Sequence, residues 1–292
     1  MRKSVHWVSL ICGLLLCAGE LTAQTIRVVG SEYVGKALQL NNSSGDRVGS
    51  YDVQYRMTGS LLGLLKLREG LAEVAFVLQN SNGEQTFDDL QLIPLGFWGV
   101  YIAVQEDNPL TEIKDEDLTE ILRKTRDGLK SEWGTLMPNQ PKWTNRLIFV
   151  TFDIEESDPS FPILLNQFFN NEVPEKYDSM GERIEDPYLA SSANLLIMSK
   201  LPDSTRGLRS LAWIGGEENV GYPPSRQSLF YDDYPLRTPL YLAVGKKQDP
   251  KVRAFLEEFF SSSSLEMLEK SGLVPVPENV LKQALLEFDL EI

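Results

Sequence analysis

The sequence predicts an α/β protein, large enough for two lobes, behind a secretory leader. Three observations carry this expectation. Short β-branched or apolar strands alternate with helical patterns along the chain. The 292 residues leave about 270 after a leader is removed, enough for one large domain or two medium ones. The first 23 residues are unlike the rest: a charged head, an apolar run and a small-residue site, in that order.

The leader pattern is specific. Arg2 and Lys3 form the head, residues 5–19 the apolar run, and Ala23 stands ahead of Gln24 at the expected cut. The run is shorter than the roughly 20 residues that a spanning helix needs. Lipidation would use Cys17, but Leu15 and Leu16 stand before it where small residues are expected. We therefore expect a soluble, exported, periplasmic chain cut near Ala23.

The following elements read in sequence. Residues 25–30, TIRVVG, make a strand that ends at glycine, with Ser31 on the turn. Residues 53–55 suggest a second strand. Thr58, Gly59 and Ser60 then open a helix marked by Leu61, Leu62, Leu64, Leu65 and Leu67, with Gly70 suited to its end. Residues 72–77 return as a strand, completing a βαβ order that favours a parallel sheet. An apolar strand is expected over 98–104 and ends at Asn108–Pro109. Residues 114–124 form an amphipathic helix with Leu118, Ile121 and Leu122 on one face. Asp115, Glu116 and Asp117 occupy its first turn, where the helix dipole favours negative charge. Further strands are expected over 146–152, 212–215 and 240–244, and helices over 161–169, 250–261 and 264–271.

Composition narrows the chemistry. The chain has 42 acidic and 28 basic residues, for a formal net charge of −14. Such a surface repels nucleic acid and anionic membranes. The only histidine, His6, and the only cysteines, Cys12 and Cys17, all fall in the leader. The chain left after cleavage has no disulfide, no Cys nucleophile, no Ser-His-Asp triad and no Cys/His zinc site. Carboxylate chemistry stays open.

Several segments, taken together, resemble the phosphate-binding proteins of bacterial phosphate ABC transporters. Thr58-Gly59-Ser60, Gly63 and residues 67–75 resemble that family's Gly-Ser helix start and the "G-x-A-D-I-A" after it. Asp107-Asn108-Pro109-Leu110, with Leu118, Ile121 and Leu122, is similar to its "NP" segment and following helix, and Trp133 fits the tryptophan that comes next. Tyr234-Pro235-Leu236-Arg237-Thr238-Pro239-Leu240-Tyr241 resembles the "YPLxRPLY" return segment. Residues 255–260 and Ser271-Gly272-Leu273-Val274-Pro275 resemble its C-terminal "F…F…G-x-VP". The resemblance implies a two-lobed type 2 periplasmic-binding-protein-like fold, each lobe a mixed sheet flanked by helices, joined by two crossing strands. It would place lobe 1 at 25–104 plus 240–292, lobe 2 at 105–239, and the crossings near Val104 and Leu240. It implies a monomeric binder of a small anion such as phosphate that serves an ABC transporter permease, with no cofactor, no metal and no enzymatic activity.

An oxyanion site needs N–H groups and hydroxyls at helix N-termini together with a cation. The positions that match the family are Ser31 with its neighbour Glu32, Gly59, Ser60, and Glu73 in place of a pocket aspartate. In the second lobe, Glu155 and Ser157 keep the chemical type of the family's "R-x-D-G-S-G-T" loop. The rest of that loop departs from it: Asp153 stands at the arginine, Glu156 and Asp158 at the glycines, and Pro159 at the threonine. Four carboxylates on one loop disfavour phosphate. Arg56, Arg146, Arg206 and Arg209 are candidate compensating charges, and Asp153, Glu155 and Asp158 allow a calcium reading, against the commoner solvated loop. Two alternatives stay open: a diverged relative with another ligand or a structural or signalling role, and a secreted carboxylate-dependent hydrolase.

Overall fold

The computed structural model describes residues 24–40, 46–48, 51–79, 89–174, 182–183, 190–215, 220–246, 249–261 and 263–290. The leader, with His6, Cys12, Cys17 and the Ala23 site, lies outside the described residues.

The chain starts with β1 (Gln24–Gly30), α1 (Glu32–Ala37), β2 (Asp46–Val48), β3 (Tyr51–Met57), α2 (Ser60–Arg68), β4 (Val74–Leu78) and β5 (Leu90–Gly99). A middle section follows: β6 (Tyr101–Gln105), β7 (Glu112–Lys114), α3 (Asp115–Arg126), β8 (Ser131–Glu132), α4 (Trp133–Leu136), β9 (Leu147–Asp153), α5 (Phe161–Phe168), β10 (Glu182–Arg183), β11 (Asn194–Met198), β12 (Leu208–Ser210), β13 (Ala212–Ile214) and α6 (Arg226–Phe230). The return consists of β14 (Arg237–Gly245), α7 (Pro250–Ser261), α8 (Ser264–Lys270), β15 (Val274–Pro275) and α9 (Glu278–Leu290).

Two mixed sheets result. The first runs β15-β5-β14-β4-β1-β3-β2 and the second β10-β9-β11-β6-β12. In the first, β1 is parallel to β3 and β4, and β14 is antiparallel to β4 and β5. Side-chain alternation sorts the strands' two faces. Ile26 and Val28 of β1 and Val74 and Phe76 of β4 face a core shared with Phe255 and Phe259 of α7. Val29, Ala75 and Val77 point the other way, under Leu64 and Leu67 of α2. Aromatic contacts tie α7 to the sheet: Tyr51 meets Phe255 edge-on at 6.2 Å, and Phe76 lies 5.6 Å from Phe259. The C-terminal helices thus pack on the sheet that the N-terminal strands begin.

The second sheet has its own core, built around Trp133 of α4. The indole N–H of Trp133 donates to the Ala193 carbonyl at 3.1 Å, and its ring meets Trp143 edge-on. Leu118, Ile121 and Leu122 are the buried residues of α3. Its first turn is acidic and its last turn carries Arg123, Lys124 and Arg126, which complements the dipole at both ends. No helix among the described residues is long and apolar enough to cross a membrane.

The single apolar strand expected over 98–104 is in fact divided between the two sheets. β5 ends at Gly99 in the first and β6 begins at Tyr101 in the second. The break has a local cause. The Tyr101 ring occupies the space where a Cβ on Gly99 would stand, at 2.8 Å, and the Val100 N–H donates to the Leu236 carbonyl. Hydrophobicity is continuous through this stretch, so it hides a change of direction that only the glycine marks. The return strand enters the first sheet at Arg237. At this junction Tyr101 and Tyr234 stack at 6.1 Å, and the buried Tyr234 hydroxyl donates to the Val100 carbonyl at 2.8 Å.

Candidate functional site: a cleft between the two sheets

The parallel strands β1, β3 and β4 end side by side, with Gly30 in register with Met57 and Phe76. Loops leaving the carboxyl ends of such strands form the usual ligand crevice of open α/β sheets. Here they bound a cleft of about 640 Å³ that also takes in α5 and the return segment at 235–238.

The first wall is built from the end of β1. Gly30 has φ +130°, and a Cβ there would meet the Phe76 carbonyl oxygen at 2.1 Å, so only glycine fits. A Cβ on Gly63 would come within 2.8 Å of the Gly30 Cα. Two glycines thus bring the start of α2 directly over the end of β1. Ser31 follows, 3% exposed; its N–H donates to the Phe76 carbonyl, and its hydroxyl has no partner among the described residues. Ser60 Oγ accepts from the Leu78 N–H at 3.0 Å, which leaves its own proton to donate. Gly59, at φ +109°, donates to the Gly30 carbonyl, and Gly63 donates to Gly59. The N–H groups of Ser60, Leu61 and Leu62 form the open first turn of α2. Ser31, Glu32, Gly59 and Ser60 all line the cleft, with Glu32 exposed at its edge.

The second wall carries no charge. It consists of Pro159, Pro162, Ile163, Asn166, Gln167 and Asn171. The N-terminus of α5 faces the cleft, but its N–H groups are already used. Phe161 donates to the Asp158 carbonyl, Ile163 and Leu164 both donate to Ser160, and Pro162 has no N–H. The Ser160 hydroxyl is also committed, to the Gly99 carbonyl at 2.7 Å.

Glu155 and Ser157 do not line the cleft. Both are exposed, and the Ser157 hydroxyl donates to Glu155 at 3.3 Å. Asp158 caps this turn by accepting the Glu155 N–H at 2.8 Å. Burial, reinforced by the charge of Glu155, pushes the Asp158 carboxyl above its usual range despite that hydrogen bond. Among the described residues no group of three or more His, Cys, Asp or Glu is placed to hold a metal.

Glu73 is also elsewhere, at the opposite end of β4 from the cleft. Its carboxylate takes both the backbone N–H and the guanidinium of Arg27, with Nη2 to Oε1 at 2.6 Å. Burial raises its pKa, but the hydrogen bonds and charge of Arg27 together outweigh this and hold the carboxyl below its usual range. A lowered carboxylate pKa stabilises the fold above the unfolded value, and the gain is lost as pH falls through the folded value. Glu73→Gln should therefore cost about 1 kcal/mol at pH 7, as partly exposed ion pairs do. In urea titrations the variant and parent should converge as pH drops below 4.5. A gap that does not narrow as the pH falls below 4.5 would contradict this.

The cation of the cleft is Arg237. Its side chain is 13% exposed and lies over the Phe97 ring, and Asp232 binds both Nε and Nη2. The arginines named from the sequence are elsewhere. Arg56 and Arg206 are exposed, Arg146 stacks on Trp143, and Arg209 donates to the carbonyls of Glu106 and Asn108. None lines the cleft. Arg237 lies within the 234–241 return segment, where no local pattern marks it as a cleft residue. Its place at a crossing between lobes was the signal available.

Three solved structures share the architecture. A possible phosphate-binding protein from Planctomyces limnophilus matches with a TM-score of 0.66 at 14% identity, over 92% of this chain and 99% of its own. The chain has the fold of the two-lobed periplasmic binding proteins. An ABC-type phosphate transport receptor from Vibrio cholerae matches at 0.58 and 14% identity, over 87% of this chain and 100% of its own. PstS from Borrelia burgdorferi matches at 0.55 and 15% identity, over 87% and 99%. No family model and no curated protein matches the sequence.

Proposed function

We propose that this is an exported solute-binding protein, not an enzyme, that takes a small anionic ligand into the interlobe cleft and hands it to an ABC permease. One observation carries the reading most: Ser31, a largely buried residue whose hydroxyl has no hydrogen-bond partner among the described residues, lines the cleft together with the start of α2. A hydroxyl held in place by a buried backbone and open to the cleft is ready to bond a ligand oxygen in place of water. Ser60 and the free edge of Arg237 supply further donors on the same side. The leader pattern supports delivery to the periplasm. The structural neighbours, a possible phosphate-binding protein and a phosphate transport receptor, support the binder class. A lobe division close to 25–104 plus 240–292 against 105–239 is supported by the change of sheet around Val100 and again before Arg237.

Thermal shift against a panel of small carboxylates and oxyanions tests this. At least one compound should raise the melting temperature, and Ser31→Ala should weaken its binding by about 1–3 kcal/mol with little change in the unliganded melting point. A panel without effect, or binding indifferent to Ser31→Ala, would defeat the reading.

A further inference from the structure

The two walls of the cleft differ in kind, and the difference specifies the ligand further. The first wall gathers hydroxyls, the open turn of α2 and Arg237; Ser31, a residue more than nine-tenths buried whose hydroxyl has no partner among the described residues, points to a ligand oxygen there. Its charge is limited, since Asp232 already holds Arg237 and Glu32 stands at the edge. A helix N-terminus adds only about half a positive charge. This environment suits one negative charge and opposes two.

The second wall offers neither a cation nor a free N–H from α5. It offers side-chain amides on an apolar bed. The Nδ2 of Asn171 donates to Oδ1 of Asn166 at 3.2 Å, which leaves the Asn166 amide N–H groups and the Asn171 oxygen for a ligand or solvent; both residues are exposed. Gln167 gives its Nε2 to Asp115, leaving its oxygen as an acceptor. Pro159, Pro162 and Ile163 provide the apolar part. A dianion enclosed against such a wall loses its hydration without charge-assisted replacement. A neutral group that both donates and accepts, joined to apolar carbon, finds its complement there. The cleft, at about 640 Å³, has room for a ligand larger than an inorganic oxyanion.

Resting on the binding-protein reading above, we infer that the ligand is an amide-bearing organic monoacid, of the N-acyl amino acid or short-peptide kind. Its carboxylate binds at Ser31, Ser60 and the start of α2, and its uncharged body lies against Ile163, Asn166 and Asn171. This separates the site from one built for inorganic phosphate.

Calorimetric titration of the leaderless chain tests the inference with three probes: inorganic phosphate, a set of N-acetyl amino acids, and their carboxamide counterparts. The expected result is binding of an N-acetyl amino acid at least tenfold tighter than phosphate. Conversion of its carboxylate to the carboxamide should cost tenfold or more, and Asn166→Ala and Ser31→Ala should each weaken it severalfold. Phosphate binding tighter than every organic acid, and weakened by Ser31→Ala, would overturn the ligand class while leaving the cleft as the binding site. Organic-acid binding untouched by both substitutions would overturn the cleft itself. Failure of every probe would overturn the inference.

Discussion

A Gly30→Ala chain is expected to lose about 3–5 kcal/mol of stability in its first lobe. The new methyl has no room, because its carbon would lie 2.1 Å from the Phe76 carbonyl oxygen and 2.6 Å from the Phe76 nitrogen. The backbone at φ +130° is in addition a conformation that residues with a Cβ rarely adopt. Strain and overpacking each cost about 1–3 kcal/mol, and here both apply at a central strand. Relief requires β1 to part from β4, which also moves Ser31 and the Gly30 carbonyl that holds Gly59. Ligand binding should therefore fall together with stability. Urea unfolding followed by hydrogen exchange across residues 24–30 and 74–78 checks this. A loss below about 1 kcal/mol would show that the two strands do not approach as described.

Phe255→Ala should cost a comparable amount, about 3–5 kcal/mol, by leaving a cavity where a nearly buried ring meets Tyr51 and Phe259. The effect should be local. Phe255 belongs to the core under the first sheet, and the Trp133 core lies under the second. Amides of 24–30, 51–57 and 74–78 should lose exchange protection, while those of 147–153 keep theirs. Equal loss across both sheets would show that the lobes unfold as one unit. Retained protection in the first sheet would show that α7 does not hold it.

The sequence carried the fold well where one physical pattern governs a segment. The amphipathic spacing of Leu118, Ile121 and Leu122 and the leucines after Ser60 became α3 and α2 close to their expected bounds. The strand over 25–30 and its glycine fell where the β-branched run predicted. It failed where pattern is blind to direction, as at Gly99 and Val100, where one apolar run serves two sheets. The site was half legible. Ser31, Glu32, Gly59 and Ser60 meet at one cleft because each follows the end of a parallel strand, a rule that local sequence reveals. Glu73 was matched by position in a motif, but its surroundings contain Arg27, a partner 46 residues away that no local pattern shows. The second wall of the candidate cleft was less legible for a related reason. The conspicuous charges of 153–158 do not line the cleft, and Glu155, Ser157 and Asp158 bond among themselves within their turn. The cleft is lined instead by the amides of Asn166 and Gln167 in α5 and of Asn171 just beyond it, whose significance depends on tertiary placement.

Native mass spectrometry of the exported protein, purified without denaturation from the cell that makes it, tests the central claim most directly. One small organic acid per chain is expected, released on acid denaturation and reduced in amount in Ser31→Ala and in Asn166→Trp, which narrows the cleft from its second wall. An unloaded chain, a chain carrying inorganic phosphate, or the same load retained in both variants would contradict it.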